Sequence, residues 1–349
     1  MPISLSRRHF TAAAGSALLA ATLPRPALAQ TPTKLRMVLN WRYQGPQAFF
    51  FLAQDRGYLR QEGLEIEMDQ GNGSGAAVGA VASGSYDLGF GDINALITLA
   101  AKAAPGSAPL AIAALYNRPP FTIAVKADSP IKTPKDLEGR TIGGPANDGA
   151  LKLFPAFAKL AGIDATKVNV TNMQPNLREQ MLQRGQVDGA FGFVNTIRFS
   201  AKLVNIDPDK DFRFINYGDF GMDLYSNALI ASRKLATEKP DALRGLLRAV
   251  TKGIRDTIAD HDAAIESVAK REPLINKAVE KERLVATLQA EMSHPEAAKI
   301  GLGDVDDVRF AKSIEIVAEA EGLPRKPAPA EVFSRDFLPP LAERITTLG

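Results

Sequence analysis

The chain has 349 residues, of which 45% are hydrophobic and 23% charged, with a formal net charge of +3 and no cysteine. This is an ordinary globular composition on a chain long enough for two lobes, and it argues against disorder. The missing cysteines exclude disulfides, thiolate metal sites, a Cys nucleophile and a lipid-bearing N-terminal Cys.

The positive charge is local. Residues 1–29 hold Arg7, Arg8 and Arg25 and no acidic residue, so 42 basic residues less 3 leaves 39 against 39 acidic ones. A near-neutral mature chain has no electrostatic footprint for nucleic acid. Ser6-Arg7-Arg8-His9-Phe10 precedes an Ala-rich apolar run, Thr11 to Leu23, and Ala27-Leu28-Ala29 follows as a small-residue cleavage pattern. The paired arginines are expected to form a twin-arginine export signal over residues 1–29, with a Sec signal as the alternative. The expected product is a soluble periplasmic protein beginning near Gln30.

In chain order, Leu35–Leu39 reads as a buried strand and Asn40–Gly45 as a loop. Pro46 opens a helix through Phe49, Leu52 and Ala53, closed by Gly57. Leu64, Ile66 and Met68 alternate with acidic residues as a half-exposed strand. After Gly71-Asn72-Gly73-Ser74-Gly75, Ser74 is expected to cap a helix over 76–82. Tyr86–Phe90 is the third strand, and Asp92 caps the helix Ile93–Lys102. Leu110–Tyr116 is a fourth strand, and Pro119-Pro120 marks an exit into a second lobe. There Phe121–Val125, Arg140–Gly143, Val168–Thr171 and Val187–Phe191 read as strands. Asn147 or Asp148 caps a helix through Leu151, Phe154 and Ala158, and Leu177–Arg184 is a further helix. Phe212–Tyr217 is another strand, and Asn227–Ala231 reads as the returning crossover. From Glu238 the chain is mainly helical. The expected division is lobe 1 over 33–120, lobe 2 over 121–226, and a segment over 227–349 that packs on lobe 1.

The polar turns that follow the strands carry the functional signal. In open α/β sheets, ligands bind at such turns. Ser74, Asp92, Asn147, Asp148 and Asn195 sit where helices begin, and the unpaired N–H groups of a helix start favour an anionic or carbonyl-bearing ligand. Each also reads as an ordinary cap. Aromatic residues recur in the same turns: Trp41, Tyr43, Tyr116, Phe193 and Tyr217. They are candidate walls for a flat ligand or core residues at strand ends. The glycine run lacks the Lys of a P-loop and the dinucleotide spacing, so it reads as a tight turn. No metal-ligand spacing and no nucleophile–base pair stands out, and neither an enzyme activity nor a cofactor is expected.

Several motifs resemble one family. They are Asn40-Trp41 after a strand, Phe51-Leu52-Ala53-Gln54-Asp55-Arg56-Gly57-Tyr58, Glu62-Gly63-Leu64, Ser83-Gly84-Ser85-Tyr86-Asp87, Asp136-Leu137-Glu138-Gly139-Arg140 and Gly185-Gln186-Val187-Asp188-Gly189. The chain resembles periplasmic solute-binding proteins of ABC importers, in the branch of the sulfonate, nitrate, taurine and thiamine-pyrimidine binders. The resemblance implies an α/β fold of the type II periplasmic binding class. Two mostly parallel sheets flanked by helices would join through a two-strand hinge. It also implies a monomer that delivers a small molecule to a permease in the inner membrane. Carried over by position, Asn40, Trp41, Tyr43, Gln44, Gly73, Ser74, Gly75, Asp92, Asn94, Tyr116, Asn147, Asp148, Gly149, Phe193 and Asn195 would line the cleft. Related pyrimidine-synthesising enzymes use a Cys-rich segment and an active-site His, and a chain without Cys lacks that equipment. Arg42-Tyr43 also stands where the pyrimidine binders carry Pro-Asn. The expected ligand is a small polar solute, flat and aromatic or heteroaromatic, with an acceptor group. The alternatives are a small sulfonate, taurine or nitrate, or an exported pyrimidine-related enzyme on the same scaffold.

Overall fold

The computed structural model describes residues 31–348. The export signal expected over residues 1–29 lies outside the described residues. From Thr33 onward the chain is one compact unit, built on two five-stranded sheets. No helix among the described residues is long and apolar enough to cross a membrane.

In the first lobe, β1 (Thr33–Val38) leads through a short 3-10 turn into α1 (Ala48–Asp55) and α2 (Tyr58–Gln61). Then come β2 (Leu64–Asp69), α3 (Ser74–Ala82), β3 (Leu88–Asp92), α4 (Ile93–Lys102) and β4 (Leu110–Ala114). The apolar run of α1 is read by both sides of the fold. Phe49, Phe50 and Phe51 are all buried, and the first two rings lie edge-on to Phe90 of β3. In the second lobe the order is β5 (Phe121–Lys126), β6 (Thr141–Gly144), α5 (Gly149–Lys152), α6 (Phe154–Leu160), β7 (Asn169–Asn172), α7 (Arg178–Gln183), β8 (Gly189–Phe193), α8 (Val194–Leu203), α9 (Pro208–Asp211) and β9 (Phe212–Asn216).

The strand orders are β2-β1-β3-β10-β4 and β7-β6-β8-β5-β9, where β10 is Asn227–Ala231. The sheets are mixed: β10 runs antiparallel to β3 and β4, and β5 antiparallel to β8 and β9. The expected crossover at Asn227–Ala231 is thus a central strand of the first sheet. The two linking segments pair with each other, Tyr116 N–H donating to Asn227 O and Ser226 N–H to Tyr116 O, both at 2.9 Å. That pairing is the two-strand hinge.

Two strands begin later than their apolar runs suggest. Asp87 accepts the Arg36 N–H at 2.9 Å and Asp188 accepts the Thr141 N–H at 2.8 Å. Each carboxylate caps the neighbouring strand's edge, so regular pairing starts one residue on, at Leu88 and Gly189. The two lobes share this device.

The C-terminal third touches both lobes. After α10 (Arg233–Glu238), α11 (Pro240–Ala259) and α12 (His261–Ala269) lie against α1. Then α13 (Lys277–Thr287), extended by a π-helical turn Leu288–Met292, lies against α8 of lobe 2. A short α14 (Ala297–Ile300) leads to α15 (Asp307–Ala320), which packs on α4 of lobe 1 and α6 of lobe 2.

Candidate functional site

The loops after β1, β2, β6 and β8 meet between the lobes. They border a narrow cavity lined by Asn40, Trp41, Gly73, Ser74, Asp148, Gly149, Arg178, Phe193 and Thr196. Lobe 1 supplies the first four and lobe 2 the rest.

The lobe 1 wall is held by its own backbone. Gly71 and Gly73 N–H groups donate to Trp41 O and Asn40 O, each at 3.0 Å. The Asn40 side chain accepts from Gln47 Nε2 at 2.9 Å, which orients it from within α1's lead-in turn. Trp41 is half-buried at the cavity edge. Ser74 does not cap α3. Gly73 occupies the cap with φ of +143°, and Ser74 is the first helical residue. The glycine takes the strained backbone, which leaves the buried Ser74 hydroxyl with no partner among the described residues.

On the lobe 2 side, Asp148 caps α5, its Oδ1 accepting from Ala150 N at 2.9 Å. Its Oδ2 lies 3.8 Å from Arg178 Nη1. Arg178 is 1% exposed and donates through Nε and Nη2 to Glu179 Oε1 at 2.9 and 2.7 Å. Burial raises the Asp148 carboxyl above its ordinary range, and the Arg178 charge and the α5 N–H groups oppose that rise. The guanidinium therefore meets two carboxylates before any ligand arrives. Phe193 ends β8 and packs edge-on to Phe121 at 5.4 Å.

The other residues read from the sequence fall elsewhere. Tyr43 turns away: its hydroxyl donates to Met68 O at 2.5 Å and its ring packs on Phe51. Gln44 accepts from Arg283 Nη1 at 2.8 Å. Asn94 donates to Tyr225 O and Asp92 Oδ1, tying α4 to the hinge. Tyr116 is buried edge-on against Phe90. Gly75, Asp92 and Asn147 line a second cavity on the other flank of the interlobe seam, which Gly149 also touches.

Asn195 closes the lobes on α13. Its Nδ2 donates to Thr287 Oγ1 at 2.9 Å and Glu291 Oε2 at 2.6 Å. Burial pushes the Glu291 carboxyl well above the usual carboxylate range. Beside it, the buried Arg283 faces Glu280 at 3.2 Å, and Glu280 accepts the Gly45 N–H of lobe 1 at 2.8 Å. A π-helical turn at this position is of the kind found at functional sites.

Arg178 and Thr196 are the two lining residues that the sequence reading missed. Both lie inside helices, where their buried faces cannot be told from solvent-facing ones by type. A sharper reading of α8 finds Thr196 one turn from the strand end, adjacent to the Phe193 and Asn195 already singled out.

Comparison with known proteins agrees with this architecture. The family described as NMT1/THI5 like matches residues 46–264. The riboflavin-binding protein RibY of Chloroflexus aurantiacus is 23% identical over 341 residues, covering 94% of this chain and 92% of that protein. A 4-amino-5-hydroxymethyl-2-methylpyrimidine phosphate synthase of Legionella pneumophila is 22% identical over 248 residues, 71% of this chain and 76% of the other. Among solved structures, the alkanesulfonate-binding protein SsuA of Xanthomonas axonopodis pv. citri, bound to MOPS, superposes with a TM-score of 0.65 at 19% identity. It covers 87% of this chain and 98% of its own. Two mixed sheets, two linking strands and a cleft between them form the periplasmic-binding-protein fold, and the chain belongs to the NMT1/THI5 like family.

Proposed function

We propose that this protein is the substrate-binding component of an ABC importer. It captures a small, flat, polar solute between its lobes in the periplasm and hands it to an inner-membrane permease. The observation that carries this reading is the make-up of the cleft. Trp41 of lobe 1 and Phe193 of lobe 2 line one cavity, together with the unpartnered Ser74 hydroxyl. Two aromatic faces suit a ring, and the free hydroxyl at the start of α3 suits an acceptor group on it. None of the lining residues is a His or Cys, which supports capture over turnover.

Arg178 favours a second reading, a small alkylsulfonate. Its charge is already met by Glu179 and Asp148, so an added anion gains little there, and the aromatic solute remains the better fit.

The test is the thermal midpoint of the purified protein against pyrimidines, flavin-type heterocycles, aromatic carboxylates, alkylsulfonates, taurine and nitrate. A ligand at about a hundred times its Kd adds roughly 2.7 kcal/mol, a shift of several degrees. A rise with a heteroaromatic compound that is recovered chemically unchanged supports the proposal. A rise only with sulfonates selects the second reading. Conversion of the bound compound sinks both.

A further inference from the structure

Asp92 takes no part in the cleft just described. It is 1% exposed, and its Oδ1 accepts from Asn94 N at 3.1 Å and Asn94 Nδ2 at 2.8 Å. Its Oδ2 receives no hydrogen bond from any described residue. The residue lines the second cavity, about 300 Å³, whose walls come from both lobes: Thr98 and Lys102 on α4, Asn147 and Lys152 around α5, and Glu321 at the end of α15.

The charges there are ordered by depth. Asp92 is the buried floor, and the charged groups acting on it are carboxylates, Glu321 and Asp148. A buried carboxylate with an open oxygen and no cation is costly unless a proton or a cation meets it. Nearer the surface, Lys102 and Lys152, one from each lobe, both act on Glu321. A negative floor beneath a mouth with two lysines is complementary to a molecule carrying an ammonium at one end and an anion at the other. A metal ion fits poorly, because no group of three carboxylates or histidines converges among the described residues.

We propose that this seam cavity is a second small-molecule site, taking an amino-acid-like zwitterion with its ammonium on Asp92 and its anionic end at Lys102 and Lys152. The proposal stands on this cavity's own residues and not on what the aromatic cleft binds. Because both lobes build the wall, an occupant favours the closed arrangement. By linkage it tightens the cleft for its own ligand, and that ligand tightens the seam in return.

The probes are β-alanine and γ-aminobutyrate, titrated calorimetrically into the purified protein beside N-acetyl-β-alanine. At least one of the two amino acids binds, and N-acetyl-β-alanine, which has lost the ammonium, binds at least tenfold more weakly. Asp92→Asn weakens the amino acid at least tenfold and Lys152→Gln several-fold, while Trp41→Ala leaves it within about twofold. Should Asp92→Asn fail to fold, Lys152→Gln and the acetylated probe decide the matter, since neither alters the protein's buried floor. Failure of both amino acids to bind overturns the proposal. So does equal binding of the acetylated probe, unchanged binding in Lys152→Gln, or loss in Trp41→Ala, which moves the probe into the aromatic cleft. A failed ligand panel at the cleft leaves every one of these readings intact, so the two proposals stand or fall separately.

Discussion

The backbone of Gly73 lies against the carbonyl of Asn147 so closely that a Cβ on Gly73 would come within 2.4 Å of that oxygen. One residue belongs to each lobe. Beside them, Gly149 faces Ser74 Oγ, Phe121 and Phe193, and a Cβ there would meet all three at 3.1 Å. Gly73 lets the two main chains touch, and Gly149 leaves room for the two rings of its own lobe and for the Ser74 hydroxyl across the cleft.

Gly149→Ala is therefore expected to crowd Ser74 Oγ across the cleft and the Phe121 and Phe193 rings beside it, and so to weaken closure on a ligand while α5 still forms. The added methyl sits at the first position of α5, which tolerates Ala. Overpacking of this kind costs about 1–3 kcal/mol, or roughly tenfold or more in affinity for the cleft ligand. Calorimetry on the variant checks the affinity and circular dichroism the fold. An unchanged Kd would show that binding does not require this contact.

Trp41→Ala removes one aromatic wall of the cleft. Trp41 is half-exposed and makes no side-chain hydrogen bond among the described residues, so the unliganded stability is expected to shift by less than about 1 kcal/mol. Affinity for the cleft ligand is expected to fall about tenfold or more, in line with a central aromatic contact. Quenching of this single Trp on ligand addition to the wild type is a second readout of the same contact.

The Asp92 carboxyl gives a pH signature. Burial, added to by Glu321 and Asp148, raises it from its ordinary 3.8 to about 7 against the hydrogen bonds from Asn94. The folded protein thus holds this proton more tightly than the unfolded chain. Its stabilising contribution is complete below about pH 4 and is lost as pH rises through about 7. Asn at this position keeps the cap and removes the titration. Asp92→Asn is expected to gain on the wild type between about pH 5 and pH 8 by on the order of 1–4 kcal/mol. Urea unfolding at the two pH values measures the gap, and a pH-independent difference would remove Asp92 as its source.

Asn195→Ala strips the amide that joins lobe 2 to Thr287 and Glu291. It leaves the buried Glu291 with neither oxygen bonded by a neighbour's N–H, at a cost of about 1–3 kcal/mol. The thermal midpoint is expected to drop and the cleft Kd to rise. Glu291→Gln placed on top of Asn195→Ala should recover part of the midpoint, because the neutral amide is easier to bury. If the double variant is no better than the single one, the Glu291 carboxyl is not what the amide was holding.

The parts of the fold that repeat a local rule were legible from the residues. Asp92 reads as a cap because a short acceptor follows an apolar run and precedes a helical period, and the structure has it there. The run Asn227–Ala231 was legible as a segment but not as a central antiparallel strand, since a short, largely apolar stretch carries no record of its partners. Ser74 shows the limit at single-residue scale. Ser is the better cap by type, yet Gly73 takes the cap because the backbone there needs φ of +143°. The gathering of Asn40, Trp41, Gly73, Ser74, Asp148, Gly149 and Phe193 around one cavity followed from the rule for strand-end turns. Tyr43 departs from it because a loop tyrosine can swing either way, and the Met68 carbonyl at the end of β2 draws it outward. Arg178 carried no signal at all. A buried arginine depends on carboxylates that only folding brings near, here Glu179 beside it and Asp148 from another loop.

The place of β10 bears on how the molecule is made. Lobe 2 draws its five strands from one unbroken stretch, β5 to β9. The first sheet does not: β10 sits between β3 and β4, and its register runs from Asn227 opposite Asp92 to Ala231 opposite Leu110. A nascent chain that has not reached Ala231 holds two strands with bare inner edges and a gap one strand wide. Such edges recruit other chains. The inserted lobe can form first, but the lobe that begins the sequence must be finished last. The long return from Asn227 onward is thus the step at which an incomplete molecule stops being a hazard to its neighbours.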